Sequence, residues 1–160
     1  MANHQPENAG PPPAVSEPTV DVLDEADCLR LIAGESVGRI GYSSRFGPTI
    51  LPVNYQLSEA TIVFRTGLRS SLEEDLRTGI ADAEYKVAFE IDQIEADTQE
   101  GWSVLIQGSA HFVESDTEVA AVTGLGVRTW VGGPKEQFLR VVPTRTTGRR
   151  IRRVPAPEAE

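Results

Sequence analysis

The run KVAFEIDQIEADTQEGWSVLIQGSAHFV, residues 86–113, decides the fold. Between Lys86 and Ile94, Val87, Phe89 and Ile91 alternate with Ala88, Glu90 and Asp92. A period of two gives one buried and one wet face, as in a strand of an antiparallel sheet. Residues 102–113, WSVLIQGSAHFV, are long enough for a second strand that bends, and Gly108 is the natural place for the bend.

Strand signals continue on both sides. TIVFRT, residues 61–66, follows a turn at Ser58 to Ala60. TILPVNYQL, residues 49–57, is an apolar strand, and Pro52 predicts an edge or a bulge there because proline cannot donate to a ladder. Val37 to Ser43 reads as another strand, with Phe46-Gly47-Pro48 as the turn between them. Asp24 is a cap for a short helix to about Ala33, with Cys28, Leu31 and Ile32 inward and Gly34 as its stop. Leu68, Leu72, Leu76 and Ile80 recur every four residues and predict a helix from Gly67 to about Gly79. Ser115 or Asp116 opens a third helix. An irregular stretch from Gly124 to Pro134 contains Trp130, which either packs or covers a pocket mouth. Two last strands are predicted at Gln137–Val142 and Arg149–Val154. Six or seven antiparallel strands with short links and three short helices predict a mostly β barrel rather than a doubly wound sheet.

Residues 1–19, with Pro6, Pro11, Pro12, Pro13 and Pro18 and only Val15 strongly apolar, read as a disordered tail. Residues 155–160 read the same way, which leaves one domain over 20–154. Cys28 is the sole cysteine, so no disulfide forms within the chain, and a small buried residue is expected there. No apolar run approaches the roughly 20 residues of a membrane helix. The N-terminus lacks the charged start and apolar stretch of a secretory signal, which predicts a cytoplasmic protein. A net charge of −9 disfavours nucleic acid. Lys135, Arg140, Arg145, Arg149, Arg150, Arg152 and Arg153 nevertheless cluster near the C-terminus, either as a solvated strand or as a site for an anionic group.

Catalysis by side chains is not visible. Neither GxxxxGKS nor GxGxxG occurs, and His4 and His111 have no partner at ligand spacing, so no metal site is expected. A cofactor would have to carry the chemistry. The junction FRTGLRSSLEEDL, residues 64–76, offers Arg65, Thr66, Arg69, Ser70 and Ser71 as donors for one phosphate at the start of a helix. The competing reading is a capping box, Ser70 with Glu73 or Ser71 with Glu74, which satisfies the same amides internally. Glu73, Glu74 and Asp75 would also repel a phosphate dianion.

GRIGY at 38–42, LPVNY at 51–55, FRTG at 64–67, VAFEID at 87–92, GWSVLIQGSA at 101–110 and RVVPTRTTGRR at 140–150 occur in register. Together they resemble the pyridoxamine 5′-phosphate oxidase-like FMN-binding split-barrel family, in particular its actinobacterial branch near the nitroimidazole reductases. The resemblance covers about Val22 to Val154. It implies a six-stranded antiparallel split β-barrel that forms a homodimer with flavin mononucleotide (FMN) at the subunit interface. Pro52, Val53 and Asn54 would lie along the flavin ring. Phe64, Arg65 and Thr66 would approach the ring and ribityl chain, and Arg69, Ser70 and Ser71 would hold the phosphate. Trp102 and Ser103 would reach across from the partner, although Trp102 also alternates with Val104 and Ile106 like a core residue. The Arg140 to Arg150 segment would border the substrate. Relatives often carry lysine where this chain has Ser71, and Arg69 is the nearest basic residue. The implied activity is an FMN-dependent oxidoreductase acting with a small-molecule substrate or electron donor. A deazaflavin-dependent reductase is the variant, and a non-catalytic flavin- or haem-sequestering protein is the alternative from another class.

Overall fold

The computed structural model describes residues 17–67, 69–77, 84–128 and 137–154. Seven strands and three helices follow one another: β1 (Glu17–Leu23), α1 (Glu25–Ile32), β2 (Val37–Ser44), β3 (Gly47–Ser58), β4 (Thr61–Thr66), α2 (Ser71–Leu76), β5 (Tyr85–Glu95), β6 (Glu100–Phe112), α3 (Asp116–Thr123) and β7 (Gln137–Val154). Every pairing is antiparallel. The order β7-β4-β3-β2-β5-β6 closes on itself through a β6–β7 ladder, and β1 adds to the outside edge of β7. The chain is thus a six-stranded split β-barrel with one added strand.

The alternation in residues 86–113 produces the core. Val87, Phe89, Ile91, Trp102, Val104 and Ile106 all point inward and are buried. Tyr55 meets Phe89 edge-on at 5.4 Å, and its hydroxyl donates to the Ile32 carbonyl oxygen at 2.5 Å. Burial pushes the Tyr55 phenol well above its ordinary range, with the Glu35 charge adding to it. Pro52 faces only β2 across the ladder, because β3 pairs with β4 only from Tyr55 to Ser58. Its missing N–H therefore costs no ladder bond. Past Phe64, β4 continues along β7 alone. Leu72 and Leu76 of α2 enter the main core, so the expected stripe is present on that helix. Cys28 is fully buried, as expected, against Gly148, where a Cβ would come within 2.5 Å of its sulfur.

Four expectations change. The strand β1 begins at Glu17, so residues 17–19 belong to the fold; residues 1–16 and 155–160 lie outside the described residues. The strand β1 buries little and is held by its ladder to β7, by Thr19 Oγ1 donating to the Arg152 carbonyl, and by Arg152 on Asp21. The two predicted C-terminal strands are one, running through Pro143. The ladder tolerates this proline because the register with β6 shifts at Gln107/Gly108. Helix α2 spans only Ser71–Leu76; Leu68 and Ile80 lie outside the described residues, as do Trp130 and Lys135. The second turn sits at Arg45-Phe46, with Gly47 at φ 109° already in β3.

Part of the basic cluster is structural. Arg152 pairs with Asp21, the Arg153 guanidinium donates to the Thr98 carbonyl and to Gln99, and Arg145 donates to Gln107 at 3.4 Å. These residues fit the solvated-strand reading. Among the described residues no helix is long and apolar enough to cross a membrane.

Candidate functional site

Strand alternation separates the β4 residues grouped by the sequence. Ile62, Phe64 and Thr66 share the inward face, and Phe64 is fully buried at 6.1 Å from Phe89. Val63 and Arg65 share the outward face with Phe138, the cross-strand partner of Arg65, whose guanidinium stacks 5.1 Å over that ring. Arg65 therefore sits on the side covered by α3, where Val119, Val122 and Leu125 pack on Val63 and Phe138.

At the β4–α2 junction the capping reading is realised with Ser70 and Glu73. Ser70 Oγ accepts from the Glu73 amide at 3.2 Å and lies 2.8 Å from the Thr66 hydroxyl. The Glu73 carboxylate, almost wholly buried, accepts from the Arg69 amide and from Arg77 Nε at 3.0 Å. Arg69 is exposed and holds φ 57°, the left-handed conformation that turns its amide toward Glu73. The Tyr42 pKa is raised by burial and then by Asp75, and lowered by the nearby Ser71 hydroxyl. Arg45 neutralises the rest of the acidic turn, meeting Glu74 at 2.9 Å and Asp75 at 3.0 Å.

Tyr42 also lines a cavity of about 560 Å³ on the outer face of the barrel, within the usual range for ligand pockets. Gly41 and Ala88 are cross-strand partners and form its floor; a Cβ on Gly41 would project toward the Ala88 methyl group at 3.7 Å. Ile50 and Val87 supply apolar lining, and Lys86 and Gln107 supply polar lining. Lys86 Nζ is 2.8 Å from Ser109 Oγ and 3.2 Å from Glu84. The cavity takes Pro48, Thr49 and Ile50 from β3 rather than the expected Pro52, Val53 and Asn54. Pro52 is exposed two residues further on, Val53 packs on the core, and Asn54 donates to the Ser36 carbonyl at 3.4 Å. The Gly41–Ala88 floor is absent from the expectations drawn from sequence. The signal was present: both residues interrupt outward faces with something small.

Trp102 and Ser103 stand elsewhere. Trp102 pairs with Arg150, near the opposite end of β7 from Gln137, the partner of Thr66. Its side chain belongs to the main core, while Ser103 is outward and opposite Arg149. Within one chain these two residues do not join the junction.

Arg39, outward and opposite Pro52, is also absent from the sequence reading. Its guanidinium bridges Glu90 at 3.1 Å and Asp92 at 2.9 Å. Partial burial and then Asp92 raise the Glu90 pKa, and Arg39 opposes both. Arg39→Ala should raise it further. An acid with a raised folded pKa favours folding while protonated, and that contribution is lost as pH rises from its unfolded to its folded value. Arg39→Ala should therefore cost about 1 kcal/mol at pH 7, discounted for exposure. The deficit should shrink toward pH 4, as checked by urea melts at both values; an equal deficit at both would contradict the linkage.

A flavin meets two different environments here. The cavity suits its ring, with a flat floor, apolar lining and polar rim. The phosphate fits poorly, because Ser70 Oγ, the Arg69 amide, Ser71 and Arg77 already have acceptors or partners within the chain.

Residues 24–150 match the family described as pyridoxamine 5′-phosphate oxidase. The uncharacterised protein Rv0080 of Mycobacterium tuberculosis is 31% identical over 129 residues, 81% of this chain and 84% of that protein. The solved FAD binding protein of Mycobacterium smegmatis is 28% identical with a TM-score of 0.68, covering 82% of this chain and 100% of its own. A FAD-binding protein of Mesorhizobium loti, at 18% identity and TM-score 0.66, covers 85% of this chain and 99% of its own and shares the fold.

Proposed function

Because the chain belongs to the pyridoxamine 5′-phosphate oxidase family, we propose that it binds a flavin and acts as a flavin-dependent oxidoreductase on a small molecule. The observation that carries the reading is the cavity floored by Gly41 and Ala88. A bound flavin would supply the electron transfer that no side-chain pair here offers. The chain's own residues would position it: Gly41 and Ala88 allow close approach, and the exposed side chain of Ile50 offers apolar contact. Lys86, held by Ser109 and Glu84, brings a positive charge that favours negative charge on a ligand.

The site is completed by a second copy in this reading. Trp102 and Ser103, which do not join the junction within one chain, would reach the flavin of the partner, as the family resemblance implies. A homodimer is expected, with a sedimentation mass twice 17.4 kDa; a monomer would remove the shared site.

The test of turnover is anaerobic. Flavin-loaded protein should bleach with a reduced nicotinamide and recover its absorbance when an electron acceptor is added. Protein that holds flavin but is reduced only by dithionite supports the sequestering reading. That alternative is favoured by one observation: the polar side chains of the junction satisfy each other.

A further inference from the structure

We propose that Glu73 supplies, from within the chain, the anion that a flavin phosphate would otherwise supply at the β4–α2 junction. The free phosphate monoester of FMN would then gain less than about tenfold in affinity over flavins that lack it. The proposal rests on the flavin reading and specifies its ligand class: riboflavin itself, or a flavin whose phosphate is capped by a further group.

The donors of the junction are already occupied within the chain. The Arg69 amide and Arg77 Nε both donate to the Glu73 carboxylate. Ser70 Oγ is held between the Glu73 amide and the Thr66 hydroxyl. Ser71 adds no positive charge, and it lies close enough to the Tyr42 hydroxyl to lower its pKa. Helix α2 has six residues, so its dipole offers an incoming anion little. A phosphate would have to displace Glu73, which is buried and tethered four residues from the amide it accepts. An intramolecular acceptor loses no translational freedom on binding, so a free anion competes at a disadvantage. The displaced carboxylate would also remain near the phosphate. A dianionic monoester suffers that repulsion about twice as strongly as the singly charged flavin-side phosphate of FAD, whose second charge lies one phosphate further away, and riboflavin does not suffer it at all.

The test is equilibrium titration of full-length protein with riboflavin, FMN and FAD, followed by flavin fluorescence. FMN should bind less than about tenfold tighter than riboflavin. FAD tighter than both identifies the capped class, whereas FAD equal to riboflavin identifies recognition of the ring alone. An FMN preference of about tenfold or more overturns the proposal while leaving flavin binding intact. Failure of all three to bind removes the flavin reading and the proposal with it. Glu73→Gln keeps the shape and removes the charge. It should move the FMN-to-riboflavin preference about tenfold toward FMN, and an unmoved ratio in a folded variant contradicts the assignment. If the variant does not fold, the wild-type ratio alone decides.

Discussion

Replacing Phe89 with alanine should destabilise the protein by about 3–5 kcal/mol, the range for emptying a large aromatic site in a closed core. Phe89 is fully buried and lies on β5 between Ile40 of β2 and Ile106 of β6. Tyr55 and Phe64 contact its ring from β3 and β4. The ring thus touches five of the six barrel strands, counting its own, and no single neighbour can collapse into the space it leaves. Gly38 depends on the same ring, since a Cβ there would sit 2.3 Å from Phe89 Cε1. Gly38→Ala should therefore be severe alone and much milder in the Phe89→Ala background, a coupling readable from a double-mutant cycle by urea denaturation. Additive losses would contradict this packing.

Gly108→Ala should cost about 3 kcal/mol, a large effect for adding one methyl group. A Cβ at Gly108 would lie 2.1 Å from the Val142 carbonyl oxygen and 3.1 Å from the Pro143 Cα. Both are backbone atoms of β7 at the point where the β6–β7 register shifts. Relief requires the ladder that closes the barrel to open there. Gly108 also lines the cavity, so ligand binding should weaken with stability. Denaturation midpoints check the first effect; a change below about 0.5 kcal/mol would mean that the close approach is absent.

The legible parts of this fold were those set by local pattern. The two-residue period over 87–91, the bend at Gly108, the edge position of Pro52 and the caps Asp24 and Ser115 all follow from short stretches. The strand β1 was not legible. It is held by Arg152, more than a hundred residues away, and its first residues, Glu17, Pro18 and Thr19, carry no apolar signal. The continuity of β7 was hidden for a similar reason. Pro143, Thr144 and Gly148 look like breakers until the shift in β6 accommodates the proline and Cys28 explains the glycine.

The candidate site divided along the same line. Ser70 with Glu73 was readable as a capping box from spacing, and so was its competition with a phosphate. Which reading holds depends on Arg69 taking a left-handed conformation and on Tyr42 reaching Ser71 from another strand. The outward partnership of Arg39 with Glu90 and Asp92 joins two motifs some fifty positions apart, which only strand pairing brings together.

The most direct test of the flavin reading is a titration of riboflavin, FMN, FAD and a deazaflavin into purified protein freed of ligand, followed by absorbance and fluorescence. The account predicts saturable uptake of at least one of them, reaching one ring per chain. A protein that stays colourless and leaves the fluorescence of all four unchanged would contradict it.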